Sequence, residues 1–175
     1  MILPTTELQL PFVRSFSSAA NSAIGNAIAA LSVTGLLLGG EYFEPFRVPE
    51  DYDRSREGRL YAFIGNGVGV GPAAGNVQLD VLMGRAAVGA IPAETTTTLV
   101  QAIPAAWPAS SWLQVEIGTP VAPFVAPGLF TQLGLVGLRL ARNGPAAADT
   151  WTGTLLLAQF ILLRYHRLCL HCGCC

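Results

Sequence analysis

Twelve prolines punctuate this chain, and almost all of them fall between short apolar runs rather than inside them. Proline removes a backbone donor and breaks a helix interior, so long helices have no room here. The runs themselves have the pattern of strands. Val33 to Leu38 is closed by Gly39-Gly40, and Arg59 to Ile64 follows further on. In Asn76 to Met83, Val77, Leu79, Val81 and Met83 share one face while Gln78 and Asp80 share the other. Thr95 to Ile103 opens with four threonines, whose β-branched side chains suit a pleated surface. Trp112 to Ile117 alternates most cleanly, and Leu133 to Leu140 and Thr154 to Tyr165 complete the set. The spacing predicts an all-β domain: a β-sandwich or jelly roll of about eight antiparallel strands. Its expected core is Leu79, Val81, Leu113, Val115, Ile117, Leu138, Leu140, Leu155 and Leu157.

The organisation read from composition is an N-terminal arm over residues 1–30, a sandwich over 31–165 and a short Cys-rich C-terminal tail over 166–175. Ser17 to Leu31 is rich in Ser, Ala and Asn, with Ile24, Ile28 and Leu31 at helical spacing. A short helix and an extended arm lying on a neighbour both fit it. A chain of this length reads as one domain that buries about two thirds of its unfolded surface.

Two polar islands interrupt the apolar pattern. The first is Phe46-Arg47-Val48-Pro49-Glu50-Asp51-Tyr52-Asp53. Its carboxylates sit close enough for Ca²⁺, but the alternating Asp/Asn and distal Glu of a Ca²⁺ loop are missing. A turn in which Asp side chains cap backbone N–H groups is the better reading. The second runs from Arg142-Asn143-Gly144-Pro145 to Asp149-Thr150-Trp151-Thr152-Gly153. It is expected to be a hairpin between the last two runs. Asp149 and Thr150 would bond to backbone, and Arg142 would pair with Asp149. If exposed, that pair contributes only about 0–1 kcal/mol.

Charge limits the classes of function. Only 12% of residues are charged, the net charge is −1, and there is no Lys beside the ten Arg. The usual charged share is about 25%, so much of this surface is expected to be covered by other subunits. Nucleic acid is not an expected partner, because Arg54, Arg56 and Arg59 alternate with Asp51, Asp53 and Glu57 and their signs cancel. Met1 to Pro11 has no positive n-region, so no signal peptide is expected. Ala19 to Leu38 is too polar to span a membrane, and Leu155 to Leu163 is shorter than the roughly 20 residues required. Gly65-Asn66-Gly67-Val68-Gly69-Val70-Gly71 lacks the closing Lys of a phosphate loop and reads as a hairpin tip.

All four cysteines lie in the tail His166-Arg167-Leu168-Cys169-Leu170-His171-Cys172-Gly173-Cys174-Cys175. Cys169 and Cys172 have C-x-x-C spacing. With His166, His171, Cys174 and Cys175 nearby, a tetrahedral Zn²⁺ site could form. Disulfides between chains and free thiols are the rivals, and the spacing alone does not choose among the three. No other cofactor is implied. The only histidines, His166 and His171, both sit in this tail, so a Ser–His or Cys–His catalytic pair finds no scaffold and no enzyme is expected.

Taken in order, an apolar strand, the Phe46–Asp53 corner, alternating strands, Leu138-Arg139-Leu140-Ala141-Arg142-Asn143-Gly144, and then Asp149-Thr150-Trp151-Thr152-Gly153-Thr154-Leu155 resemble small β-sandwich virion proteins of tailed bacteriophages. The resemblance covers about residues 33–165. It implies a structural role as a capsid decoration (cement) protein, or as a head-fibre, neck or tail component, located in the virion. It also implies a homo-oligomer, commonly a trimer, whose partners are the major capsid protein or other virion proteins. The Cys-rich tail and the Ala-rich arm depart from that pattern. Two other functions fit the same fold: a single jelly-roll major coat protein, and a receptor- or carbohydrate-binding module. The last would stack sugar rings on exposed aromatics, with Trp107, Trp112 and Trp151 as candidates.

Overall fold

A computed structural model describes residues 5–17, 19–24, 28–33, 38–43, 45–67, 73–87, 89–90, 93–109, 111–118, 124–131 and 133–168. These residues form eleven strands, and no helix occurs among them. The strands are β1 (Thr5–Ser17), β2 (Ala19–Ile24), β3 (Ile28–Val33), β4 (Leu38–Phe43), β5 (Phe46–Arg47) and β6 (Arg59–Asn66). They continue with β7 (Gly75–Ala86), β8 (Ala93–Ile103), β9 (Trp112–Ile117), β10 (Leu135–Asn143) and β11 (Leu155–His166).

Every strand pairing is antiparallel, and two sheets face each other as a β-sandwich. In the first sheet β11 is central. One edge of β11 pairs with β6, which in turn pairs with β9. Its other edge is shared: Leu155–Ala158 pairs with β3, and Phe160–His166 pairs with the first half of β1. The second sheet runs β1–β4–β10–β7–β8, with β5 continuing the β4 edge opposite Leu135 and Val136. Strand β1 therefore belongs to both sheets. Thr5–Pro11 pairs with β11, then the chain shifts register between Phe12 and Arg14 and pairs with β4. Pro11 stands at the change of partner, where the lack of a donor does least harm.

The stretch read as an arm, residues 1–30, contributes β1, β2 and the start of β3. A two-residue period in β1 explains why: Leu10 is buried and Leu8 packs against the core, while Glu7 and Gln9 are exposed. Eleven strands stand where about eight were expected, and most of the additional ones come from this segment. The expected hairpin after Leu140 is corrected by the structure. Strand β10 lies in one sheet and β11 in the other, so residues 144–154 form an arch that crosses the sandwich. Both flanking runs turn an apolar face to the shared core, one from each layer.

The expected core is largely the observed one. Leu79, Val81, Val115, Ile117, Leu138, Leu140, Leu155 and Leu157 are buried, and Leu113 is half-buried against them. Aromatic side chains close the ends of the core. Tyr52 sits 5.5 Å from both Phe130 and Tyr165, and Trp107 lies 5.7 Å from Trp151.

Gly40 marks the tightest approach between neighbouring strands. A Cβ there would stand 2.2 Å from the Leu140 carbonyl oxygen and 2.6 Å from the Ala141 Cα, both backbone atoms of β10. Gly84, by contrast, would meet nothing within 4 Å. Gly40→Ala is expected to destabilise by about 2 kcal/mol or more through forced strand separation. Gly84→Ala should be neutral or stabilise by about 0.5 kcal/mol. Paired denaturant-unfolding midpoints check both.

Candidate functional site

The second polar island folds into the arch and owes its shape to one buried cation. Arg142, at 0% exposure, donates from Nε to Asp149 Oδ2 at 2.9 Å and from Nη2 to Asp149 Oδ1 at 2.8 Å. Its Nη1 donates to the Gly153 carbonyl at 2.7 Å, and Nη2 also reaches the Trp151 carbonyl. The guanidinium lies 5.5 Å from the Trp151 ring centroid. Asp149 Oδ2 accepts in addition from the Gln78 backbone N–H at 3.1 Å. The Thr150 and Trp151 N–H groups both donate to the Asn76 carbonyl, and the Asn76 N–H donates to Thr150 Oγ1. The arch is thus fastened to the start of β7. Gly153 leaves room for the indole: a Cβ there would sit 2.4 Å from the Trp151 ring. The pairing of Arg142 with Asp149 was legible in the sequence; its complete burial was not. It is a structural clamp in which the guanidinium and the Asp149 carboxylate are both engaged.

Two outer faces are available for contact. On the β9–β6–β11 sheet, Trp112 stands 51% exposed with its ring 5.6 Å from that of Phe63. Phe63 lies 4.9 Å from Phe160, and both pack on a small outer cluster of Leu156 and Ala158. Beyond this aromatic strip the same face turns polar. Arg59 bridges Glu57 at 2.5 Å and Glu116 at 2.7 Å. Arg164 bonds Glu7 at 2.5 Å and lies 5.1 Å from the Tyr61 ring centroid. The hydrogen bonds to Glu7 and Glu57 hold both guanidiniums above their ordinary pKa, so they stay charged. The strip was invisible in the sequence because Phe63 and Phe160 look like core residues until their sheet face is known.

On the other sheet the outer face carries a groove of about 320 Å³, bordered by Tyr42, Leu82, Arg139 and Glu94. Its floor is a directly registered glycine pair, Gly84 opposite Gly137, with open space above both. Behind it, on the core face of β4, lies Glu41, at 0% exposure. Among the described residues neither of its carboxylate oxygens has a hydrogen-bond partner. Burial pushes its pKa up to about 9, so the side chain is held as the neutral acid at pH 7.

The sequence candidates are distributed as follows. Trp107 and Trp151 are buried, which removes them from any sugar-stacking surface; Trp112 alone of the three is exposed. In the first island, Asp53 accepts from the Ser55 N–H at 3.0 Å and from Ser55 Oγ at 2.6 Å, the expected capping turn. These bonds lower its pKa. Asp51 is drawn away to Arg167 and to the Tyr165 hydroxyl, so the carboxylates of this island do not converge. Asn66, in the glycine-rich run, is buried and donates to the Trp107 carbonyl at 2.6 Å. His166 ends β11, and its carbonyl accepts from the Asp53 N–H at 2.9 Å. His171, Cys169, Cys172, Cys174 and Cys175 lie outside the described residues.

No protein-family model matches the chain, and no curated protein matches it. Several solved structures are similar in shape. An isomalto-dextranase of Arthrobacter globiformis T6, complexed with panose, superposes with a TM-score of 0.51 at 13% identity, over 91% of this chain and 23% of that one. The chain therefore spans about a quarter of the isomalto-dextranase, and the likeness shows the fold alone. CtCBM11, known from a solution structure with binding studies, gives 0.39 at 12% identity, over 93% of this chain and 89% of that one. Infectious bursal disease virus, Gt strain, gives 0.37 at 10% identity, over 93% and 32%.

Two measurements test the buried charges. Asp149→Ala should cost about 3–5 kcal/mol by leaving the Arg142 guanidinium buried without its counter-ion. For Glu41 the folded pKa of about 9 exceeds the ordinary 4.5, so its contribution to stability is complete below pH 4.5 and is lost as pH rises toward 9. The loss runs at up to about 1.4 kcal/mol per pH unit. Glu41→Gln should remove that slope and be the more stable protein at pH 8, as read from unfolding midpoints between pH 5 and pH 8.

Proposed function

We propose that this chain is a non-catalytic structural subunit of a virion: a capsid decoration (cement) protein that binds a phage head as a homo-oligomer, with three copies as the number its sequence resemblance implies. The observation that carries this reading is the aromatic strip. Trp112, Phe63 and Phe160 lie together on an outer sheet face, and Trp112 is half in water. Burying such a strip against a shell protein releases about 25 cal/mol for each Å² of apolar surface removed from water. One such contact is modest. Repeated in an oligomer bound at several points at once, modest contacts add to a stable coat. The chain's scarcity of charge supports the same reading, since most of its surface then costs little to desolvate. Four of the residues that carry the resemblance to phage virion proteins, Arg142, Asp149, Trp151 and Gly153, form the clamp of the arch.

A second reading rests on a different observation, the glycine-floored groove. Tyr42 lines it together with Arg139 and Glu94, and a shallow site with an aromatic and polar groups in its lining suits a neutral sugar.

Mass spectrometry of particles purified from the virus that encodes the chain tests the first reading: the protein should be present in many copies per head. Trp112→Asp protein, still folded, should wash off such particles at least about tenfold more readily than the parent. Absence from the particles overturns the reading. Binding to a glycan array that is abolished by Tyr42→Ala and untouched by Trp112→Asp would establish the second.

A further inference from the structure

Strand β8 is a long, regular edge strand. Its eleven residues pair with β7 in an unbroken register from Gly75 opposite Ile103 to Arg85 opposite Ala93. Among the described residues no strand pairs with its other side. Sheet proteins that stay monomeric blunt such edges with Lys, Pro, bulges or short strands, because a free row of N–H and C=O groups templates another chain. Strand β8 has none of these devices. Its sequence, Ala-Glu-Thr-Thr-Thr-Thr-Leu-Val-Gln-Ala-Ile, holds no Pro and no Lys, and its one charge, Glu94, lies near one end. Two of its threonines bond back across β7: Thr98 Oγ1 donates to Asp80 Oδ1 at 3.0 Å, and Thr95 Oγ1 accepts from Arg85, while Gln101 Nε2 donates within the strand to the Ala102 carbonyl at 2.9 Å. Val100 is left 46% exposed.

We infer that β8 is an interface strand whose occupant is β8 of a second copy, added antiparallel about a two-fold axis at Thr98. The edge is self-complementary in that arrangement. A pairing centred on Thr98, the middle of the strand, uses its full length. It sets Thr97 opposite Leu99, Thr96 opposite Val100, Thr95 opposite Gln101 and Glu94 opposite Ala102. The only charge meets an alanine, so no like charges oppose each other, and most pairs set a β-branched side chain against another apolar or polar one that suits a sheet. The contact is isologous and closes on itself, so it yields a discrete pair rather than a fibre. The β1–β4–β10–β7–β8 sheet then continues across both copies. This inference departs from the virion reading in copy number, two where the resemblance implies three, and it rests on a different surface, since the aromatic strip lies on the other sheet.

Sedimentation velocity of the purified chain, in reducing buffer and across a dilution series, provides the test. The parent should convert from one copy to two as concentration rises. Thr96→Lys with Val100→Lys places lysine opposite lysine twice across the axis and should weaken association at least about tenfold. Thr96→Glu with Val100→Lys places opposite charges at the same two positions and should restore association, with added sensitivity to salt. Thr96 and Val100 are both exposed, and far-UV circular dichroism checks that each variant is folded. A parent that remains monomeric throughout overturns the inference. So does a doubly lysine-substituted protein that associates like the parent, or a Glu/Lys protein that associates no better than the Lys/Lys one.

Discussion

A guanidinium removed from water sets the terms for this fold. Arg142 leaves one sheet and binds Asp149, Trp151 and Gly153 on the arch that leads to the other. A buried cation without its carboxylate costs several kcal/mol, so alternative paths for residues 144–154 are heavily penalised. The two sheets are therefore connected by a segment with little choice of conformation. The order of residues in the arch follows from this. Asp149 faces the guanidinium, Trp151 covers it, and Gly153 makes space for the indole. The same carboxylate takes the Gln78 N–H, which couples the arch to β7 and fixes how far the layers overlap.

With the interior so committed, chemistry at the surface is what remains for function. The outer faces divide the labour. One sheet carries an aromatic strip next to a patch of mutually satisfied charges, and the other carries a shallow groove over glycines and an open edge. The aromatic strip and the glycine floor are apolar surface that is cheap to cover.

Much of the sandwich was legible in the sequence. Where one face of a strand is wet, as in β7 and β9, alternation reveals both the strand and its inner face. The pattern fails where that condition fails. In β2 and β3 the residues are small and mixed, so no two-residue period stands out, and Ile24, Ile28 and Leu31 fall at a helical spacing although they lie in strands. In β11 both faces are apolar, because Leu156 and Phe160 belong to an outer cluster while Leu157 and Ile161 belong to the core. The arch was mistaken for a hairpin because turn residues announce a reversal without saying whether the chain rejoins its own sheet. For the surfaces, the sequence flagged Trp112 but could not separate it from Trp107 and Trp151, since exposure depends on neighbours brought from afar. Glu41 gave no signal at all: a lone carboxylate among apolar residues reads as an exposed position until the strand on each side of it is known.

The double membership of β1 has a consequence for how the chain reaches this state. Its first half pairs with a strand far along the chain, as the Glu7–Arg164 contact at a separation of 157 positions shows, while its second half pairs with β4. During synthesis the segment from Thr5 to Pro11 has no partner until β11 emerges from the ribosome. Until then one hydrogen-bonding edge of β6 lies open as well, since β11 is its neighbour too. Loop closure over such a distance is slow, and the waiting chain exposes surface that invites aggregation. Swift completion of the last strand, or a chaperone to shield the unfinished layer, is the condition this architecture places on its cell.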